Sequence, residues 1–230
     1  MHDFSNKKAV LFDLDGTLTD PSTGITNSVM YALRHYGISA EREALLRFIG
    51  PPLTDSFERF YGFSHEQAVE AVEVYREYFR GKGIFENTIY PGIRALLAAL
   101  SGTGRTVIMA TSKPEVFARR IADHFAMTPF FHTIAGSCLN GDRVRKGDVI
   151  AYALRQAGVD PADAVMVGDR EHDCIGAHQC GVPVIGVLYG FGSRAELTAS
   201  GAEAIAENLR TLRRILLAPQ KKDGTKNSMI

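Results

Sequence analysis

Short apolar runs that each stop abruptly at a small or polar residue constrain this chain more than any other feature. They are Ala9–Phe12 before Asp13, residues 106–110 (TVIMA) before Thr111, residues 164–167 (AVMV) before Gly168-Asp169, and residues 183–188 (PVIGVL) before Tyr189-Gly190. Runs of this length without polar alternation read as strands buried on both faces, as in a parallel sheet. Helical periods lie between them: Ile93, Leu96, Leu97 and Leu100, then Val116, Ile121 and Phe125, then Val149, Ile150, Ala153 and Leu154. Strand and helix signals therefore alternate, which predicts an α/β fold with a doubly wound parallel sheet.

The stretch from residue 18 to 90 breaks the alternation, with helical patterns and no convincing strand. Ile25, Val29, Ala32, Leu33 and Tyr36 fit one helix face closed by Gly37, and Ser64 with Gln67 forms a capping-box pattern ahead of Ala68, Ala71, Val72, Tyr75 and Phe79. The expected organisation is a core made of residues 1–17 and 91–218, a second, smaller α-helical domain over 18–90, and a polar, frayed tail over 219–230 ending KKDGTKNSMI.

Composition excludes several classes of function. Lys and Arg number 26 against 26 Asp and Glu, so the chain lacks the basic footprint of a nucleic-acid or membrane-surface binder. Cys138, Cys174 and Cys180 form no CxxC pair and no zinc spacing; they read as small, reduced core residues of a cytoplasmic protein. The polar start and the short first apolar run do not make a signal peptide, and no stretch approaches the ~20 apolar residues of a membrane span. Nothing in the pattern sets the oligomeric state.

Chemistry concentrates at four stations. The first strand ends in Asp13-Leu14-Asp15-Gly16-Thr17; residues i and i+2 of a strand share a face, so Asp13 and Asp15 project together beyond its C-terminal end, where open α/β sheets bind ligands. The competing reading is a hairpin at Asp-Gly. Thr111-Ser112-Lys113-Pro114 occupies a strand-to-helix junction, with Pro114 suited to the first helical position; hydroxyls and free backbone N–H groups there hold an anion, or serve simply as helix caps. Lys146 stands just ahead of the helix containing Val149 to Leu154, and taken alone would be a solvated charge. Last comes Gly168-Asp169-Arg170-Glu171-His172-Asp173, whose clustered acids suit either a surface turn or a hard divalent cation; His172 is a bystander, because Mg²⁺ prefers oxygen ligands.

Asp13, Asp15 and Asp169 converging at one sheet edge would repel one another and raise each other's pKa without a cation between them. Such a cation, together with Lys146 and the Thr111 hydroxyl, would face a tetrahedral dianion of the phosphoryl type and lower its charge enough for a carboxylate to approach.

The ordered set DLDGT, TSK, a Lys before a helix and GDREHD resembles the haloacid dehalogenase superfamily of phosphatases, over about residues 7–196. The helical insert after the first motif is similar to the small cap of the phosphoglycolate phosphatase group. FIGPPL (48–53), ENTIYPGI (86–93) and VIGVLYGFGSRAEL (184–197) resemble bacterial phosphoglycolate phosphatase-like 5′-nucleotidases. The resemblance implies Asp13 as a nucleophile forming an aspartyl-phosphate, and Asp15 as the acid that protonates the leaving alcohol and then activates water. It implies Thr111, with Ser112 beside it, as the phosphate-binding station, and Lys146 as the group that orients Asp13. The implied cofactor is Mg²⁺, held by Asp13, the Asp15 backbone carbonyl and Asp169, with Asp173 acting through water or steadying Lys146. Relatives often carry Lys-Pro at the third motif; here the run is Arg143-Val144-Arg145-Lys146-Gly147, so Arg145 and Lys113 are rival cations.

Asp15 argues against a dehalogenase, and Lys82, the single Lys of residues 21–90, makes a poor Schiff-base lysine for a phosphonatase. The expected activity is hydrolysis of a small phosphomonoester, of the 5′-nucleotidase or phosphoglycolate phosphatase type. The alternatives are a sugar-phosphate mutase of the β-phosphoglucomutase type and a non-catalytic binding module, which would be expected to lose Asp13 or Asp15. The insert must close over the sheet edge to exclude water. Gly50-Pro51-Pro52 is a rigid turn able to approach the site, Arg47 or Arg76 could meet a second anion, and Phe48, Phe57, Phe60, Tyr61 and Phe63 read as insert core before they read as a base-stacking surface.

Overall fold

The computed structural model of the chain describes residues 4–217, so the polar tail over 219–230 lies outside the described residues. The first strand, β1 (Ala9–Phe12), leads through a turn into the two-residue β2 (Thr19–Asp20). The insert follows with α1 (Ser22–His35), α2 (Arg42–Leu45), α3 (Leu53–Tyr61) and α4 (His65–Gly81), and the chain returns through β3 (Thr88–Ile89). It then alternates α5 (Ile93–Gly102), β4 (Thr106–Pro114), α6 (Glu115–His124), β5 (Thr133–Ser137), α7 (Lys146–Ala157) and β6 (Ala164–Gly168). The last elements are α8 (Glu171–Gln179), β7 (Val184–Val187), α9 (Arg194–Ala199), β8 (Ala204–Ala206) and α10 (Leu209–Leu217).

Six parallel strands stack in the order β5-β4-β1-β6-β7-β8. The chain leaves β1 toward β4 and β5 on one side, then returns to β6, β7 and β8 on the other. The C-terminal end of β1 is thus the topological switch point, where such sheets open a crevice. The hairpin reading of Asp15-Gly16 fails, because both neighbours of β1 are parallel strands distant in sequence.

Strand alternation sends Val10 and Phe12 to one face and Ala9 and Leu11 to the other, all fully buried. Burying a Leu or Phe side chain contributes about 1.5–3 kcal/mol, so β1 is held by both layers at once. One layer packs Val149, Ile150, Ala153 and Leu154 of α7, with Cys174 and Ala177 of α8, under the sheet. The other brings α5, α6 and α10 onto Val107, Met109, Val165 and Ile185 and runs on without a break into Val29, Phe48, Phe57 and Phe79 of the insert. Phe79 meets Phe117 of α6 edge-on, with ring centroids 5.4 Å apart.

Inside the insert, the Ser64–Gln67 pattern forms the box that starts α4: the Gln67 N–H donates to Ser64 Oγ at 3.3 Å, and the Ser64 N–H donates to Gln67 Oε1 at 3.0 Å. Phe48, Phe57, Phe60, Tyr61 and Phe63 pack on one another and make the insert's core, as their spacing suggests.

The structure corrects several sequence expectations. The 18–90 stretch does contain strands: Thr19 pairs with Ile89 and Asp20 with Thr88, an antiparallel neck too short to carry any periodicity. β4 continues to Pro114 through a register shift against β5 after Ala110, so α6 begins at Glu115 and Pro114 is its N-cap rather than its first residue. Val116 is exposed and Phe125 caps the helix end; the buried face of α6 is Phe117, Ala118, Ile121 and Ala122. β5 and β8 go unanticipated, because TIAGS and AIA are short and rich in small residues. Of the cysteines, only Cys174 is fully buried; Cys138 and Cys180 are half-buried, and all three are free thiols. Among the described residues no helix is long and apolar enough to cross a membrane.

Candidate active site

Asp13 follows β1 directly, and its N–H donates to the Val167 carbonyl of β6 at 3.0 Å, which ties the end of β1 to the last turn of its neighbour. The chain then reverses at once: Leu18 and Thr19 N–H groups return to the Leu14 carbonyl at 2.9 and 3.0 Å. Gly16 makes this turn at φ +83°, and a Cβ there would lie 2.2 Å from Asp169 Oδ2. Glycine is required twice over, for the left-handed backbone and for the approach of Asp169.

Lys146 is the first residue of α7 rather than a residue ahead of it. Its buried ammonium forms ion pairs with Asp13 Oδ1 and Asp173 Oδ1, each at 2.8 Å, and donates to the Ala110 carbonyl at 3.3 Å. Burial works against the charge, but Asp13 and Asp173 more than offset it, and the Lys146 pKa is raised above its usual value. The rivals are occupied otherwise. Arg145 is the exposed N-cap of α7, and Lys113 pairs with Asp15 under the ring of Phe79, 4.8 Å from its centroid.

Asp173 Oδ2 accepts the N–H groups of Asp169 and Arg170, each at 3.1 Å, so this side chain braces both Lys146 and its own loop. Asp169 is fully buried; its Oδ2 accepts from the Phe191 N–H at 2.8 Å and its Oδ1 from the Thr17 hydroxyl at 3.3 Å. Burial, then the charges of Asp173 and Asp13, push the Asp169 pKa well above the usual carboxyl range. Asp173 is raised as well, by burial that the Lys146 charge offsets only in part.

Ligand oxygens of Asp13, Asp169 and Asp173 lie within 4.8 Å of one another. Three buried carboxylates against one shared lysine leave negative charge uncompensated, and hard oxygen donors at this spacing suit a divalent cation such as Mg²⁺. The residues fit the ion. The Asp15 side chain stands apart from this trio, with its carboxylate turned to Lys113; burial raises its pKa, an effect the Lys113 charge only partly reverses.

Thr111, at the end of the regular part of β4, is buried, and its Oγ1 accepts the Lys113 N–H at 3.3 Å, leaving the hydroxyl proton free to donate. The Ser112 carbonyl is taken by the Ser137 hydroxyl at 2.7 Å. Asp13, Asp15, Thr111, Ser112 and Lys113 form the floor of a cavity of about 330 Å³ between sheet edge and insert. Its roof is Phe48, Gly50-Pro51-Pro52, Val72, Tyr75 and Phe79, and residues 138–141 after β5 close one side. That last wall was not legible beforehand, nor was the Lys113–Asp15 pair. Of the arginines considered for a second anion, Arg76 reaches the cavity but is paired with Glu73, and Arg47 lies over Phe60, 4.2 Å from the ring centroid.

Residues 10–187 match the family model of haloacid dehalogenase-like hydrolases. The chain belongs to that family. Haloacid dehalogenase-like relatives include a 5′-nucleotidase of Pseudomonas aeruginosa, 50% identical over 208 residues that span 90% of this chain and 94% of the relative. Another, from Mycobacterium tuberculosis, is named tyrosine-protein kinase PtkA and is 39% identical over 88% of this chain and 69% of its own length. Among solved structures, a predicted phosphatase from Clostridium acetobutylicum superposes with a TM-score of 0.89 at 46% identity, covering 90% of this chain and 97% of that one. Relatives at lower identity carry the name phosphoglycolate phosphatase. The chain is a phosphatase of the haloacid dehalogenase-like family.

Proposed function

We propose that the chain is a Mg²⁺-dependent phosphomonoester hydrolase working through an aspartyl-phosphate, with residues 18–90 serving as its cap. The observation that carries the reading is Asp13: a buried carboxylate on the cavity floor, held from behind by Lys146 and flanked by the Thr111 hydroxyl. A carboxylate oxygen of Asp13 attacks phosphorus and the bond to the leaving oxygen breaks. Asp15 delivers a proton to that oxygen, so the product leaves as an alcohol. Its Oδ1, buried and without a hydrogen-bond partner, is the atom suited to carry the proton, and its raised pKa favours the protonated form. Water then attacks the phosphorus of the acyl phosphate, Asp15 takes its proton, the P–O bond to Asp13 breaks, and inorganic phosphate departs. Asp13, Asp169 and the Asp15 backbone carbonyl would hold Mg²⁺, which supplies charge neutralisation at the phosphoryl oxygens; Asp173 holds Lys146 and the loop in place.

A nucleoside-type leaving group fits better than glycolate. Both cations of the cavity wall, Lys113 and Arg76, already face a carboxylate, so no unpaired cation in the cavity awaits a second anion. The walls are otherwise largely apolar, which suits a neutral ring system.

Release of p-nitrophenol from p-nitrophenyl phosphate by the pure protein, with and without Mg²⁺, tests the reaction class. Asp13→Asn preserves shape and removes the nucleophile; a fall of at least about 10³-fold in kcat in a protein that still unfolds cooperatively is the expected outcome. No metal-dependent release by the wild type, or near-wild-type turnover by the variant, refutes the reading. A comparison of kcat/KM for nucleoside 5′-monophosphates and 2-phosphoglycolate then tests the leaving group.

A further inference from the structure

Arg170 belongs to the loop that carries Asp169 and Asp173, yet its guanidinium crosses to the insert. Nη1 donates to the Ile49 carbonyl at 2.6 Å, and Nε donates to Glu196 Oε1 at 2.8 Å. Ile49 is buried and directly precedes Gly50-Pro51-Pro52 of the cavity roof. Gly50 adopts φ +108°, a backbone that favours glycine, and a Cβ there would press on the guanidinium at 3.1 Å from Nη1, so the roof packs closely on Arg170. Glu196, from α9, also accepts the Glu171 N–H at 2.9 Å and so holds the arginine and its loop as one piece. Other polar contacts between insert and core, Arg76 to the Leu139 carbonyl at 3.4 Å and Arg120 to the Arg80 carbonyl at 3.1 Å, start from elements outside the carboxylate loop.

We infer that Arg170 is a positioning residue that latches the insert over the cavity and couples its closure to the ordering of the carboxylate loop. The bond to Ile49 exists only with the roof down. The backbone from which Arg170 springs is set by Asp173, which accepts the Arg170 N–H at 3.1 Å. Whatever orders Asp169 and Asp173 therefore also aims the latch, and the latch in turn keeps water away from the Asp13 side of the cavity. A lysine cannot replace it, because one ammonium does not reproduce the planar fork that serves a carbonyl and a carboxylate together.

The first arm of the test needs no catalysis. Cys138 lines the cavity, whereas Cys180 lies beside residues 151–161, away from the insert. In Arg170→Gln the rate of Cys138 alkylation by iodoacetamide, followed peptide by peptide, should rise roughly tenfold while Cys180 is unchanged. Arg170→Lys should resemble the Gln variant, and Glu196→Gln should move the rate in the same direction by less, which keeps the test open if Arg170→Gln folds poorly. Equal Cys138 rates in wild type and folded variants overturn the latch.

The second arm rests on the phosphatase reading. With p-nitrophenyl phosphate, a latch lost from the free enzyme raises KM by the same roughly tenfold factor and changes kcat less, because the closed state must be re-formed on binding. A purely structural lesion lowers kcat through the active fraction and leaves KM alone; that split, too, overturns the latch. If Cys138 becomes reactive while the wild type shows no hydrolysis, the latch stands and the phosphatase reading falls.

Discussion

A single absent Cβ lets Asp169 approach the turn that follows Asp13. Gly16 lies between them in φ +83° backbone, and a methyl group there would overlap Asp169 Oδ2 at 2.2 Å and its Cγ at 2.6 Å. Gly16→Ala therefore carries two penalties, about 1–3 kcal/mol for the left-handed backbone and the displacement of a metal-site carboxylate. The matched comparison is Gly37→Ala at the end of α1, where φ is +71° but nothing lies within 4 Å of the added carbon. Gly16→Ala should lose more thermal stability than Gly37→Ala, and it alone should raise the Mg²⁺ concentration needed for half-maximal activity, by roughly tenfold or more. Equal Mg²⁺ titrations would separate Gly16 from the site. The contrast also marks what a sequence can disclose at this scale. Asp13 and Asp15 stand two residues apart just past the end of β1, so their shared place there is a local fact, and the clustering of Asp169 with Asp173 is equally local. Lys113 is 98 positions from Asp15, and their pairing needs β4 laid beside β1, which no local pattern encodes.

Strands were legible where their buried positions carry bulky apolar side chains rather than wherever they are buried; β5 buries four of its five positions, but with Ala135, Gly136 and Ser137 among them. β1, β4, β6 and β7 each bury four or more apolar side chains or backbone positions, and their runs stand out from the surrounding pattern. β5 and β8 lie at the two edges of the sheet, where Thr133, Gly136, Ser137 and the three residues of β8 need no continuous apolar run. The two-residue strands of the neck exist only as partners of each other, which no single-segment pattern encodes. Helix α4 was readable because its start has a side-chain signature, and that signature has a testable weight. Ser64→Ala removes the acceptor for the Gln67 N–H and should cost about 1 kcal/mol. For a chain of this size that is about 2–4 °C in Tm. Since α4 supplies Val72, Tyr75, Arg76 and Phe79 to the cavity, the loss should appear in thermal unfolding while kcat near room temperature stays within about twofold, as expected for a distant cap change of this size. A large fall in kcat without a change in Tm would show that Ser64 acts on the cavity rather than on the helix.

At the scale of the whole molecule, buried like charge sets an unusual dependence of stability on pH. The folded-state pKa values of Asp169, Asp173 and Asp15 are raised above the ordinary carboxyl value of 3.8, each chiefly by burial. The folded protein therefore binds protons more tightly than the unfolded chain at these sites, and the associated stability is fully present below 3.8 and lost as pH rises through the folded-state values. Glu196 and Glu66, with lowered pKa values, contribute in the opposite sense, but the first is partly exposed and the second fully exposed, whereas Asp169 and Asp173 are deeply buried. Metal-free protein should accordingly gain Tm as pH is lowered from neutrality toward the ordinary carboxyl value of 3.8, the reverse of ordinary acid destabilisation. A cation held, as proposed, by Asp13, Asp169 and the Asp15 backbone carbonyl would compete with those protons, most directly at Asp169. Mg²⁺ at about 100 times its Kd should stabilise by about 2.7 kcal/mol at the upper end of the range, and this increment should shrink as the carboxyl groups protonate. Scanning calorimetry in EDTA and in Mg²⁺ across that range checks both slopes. Parallel curves, offset or not, would mean that the carboxylates and the cation do not meet, and the charge balance that places a phosphoryl group beside Asp13 would have to come from elsewhere.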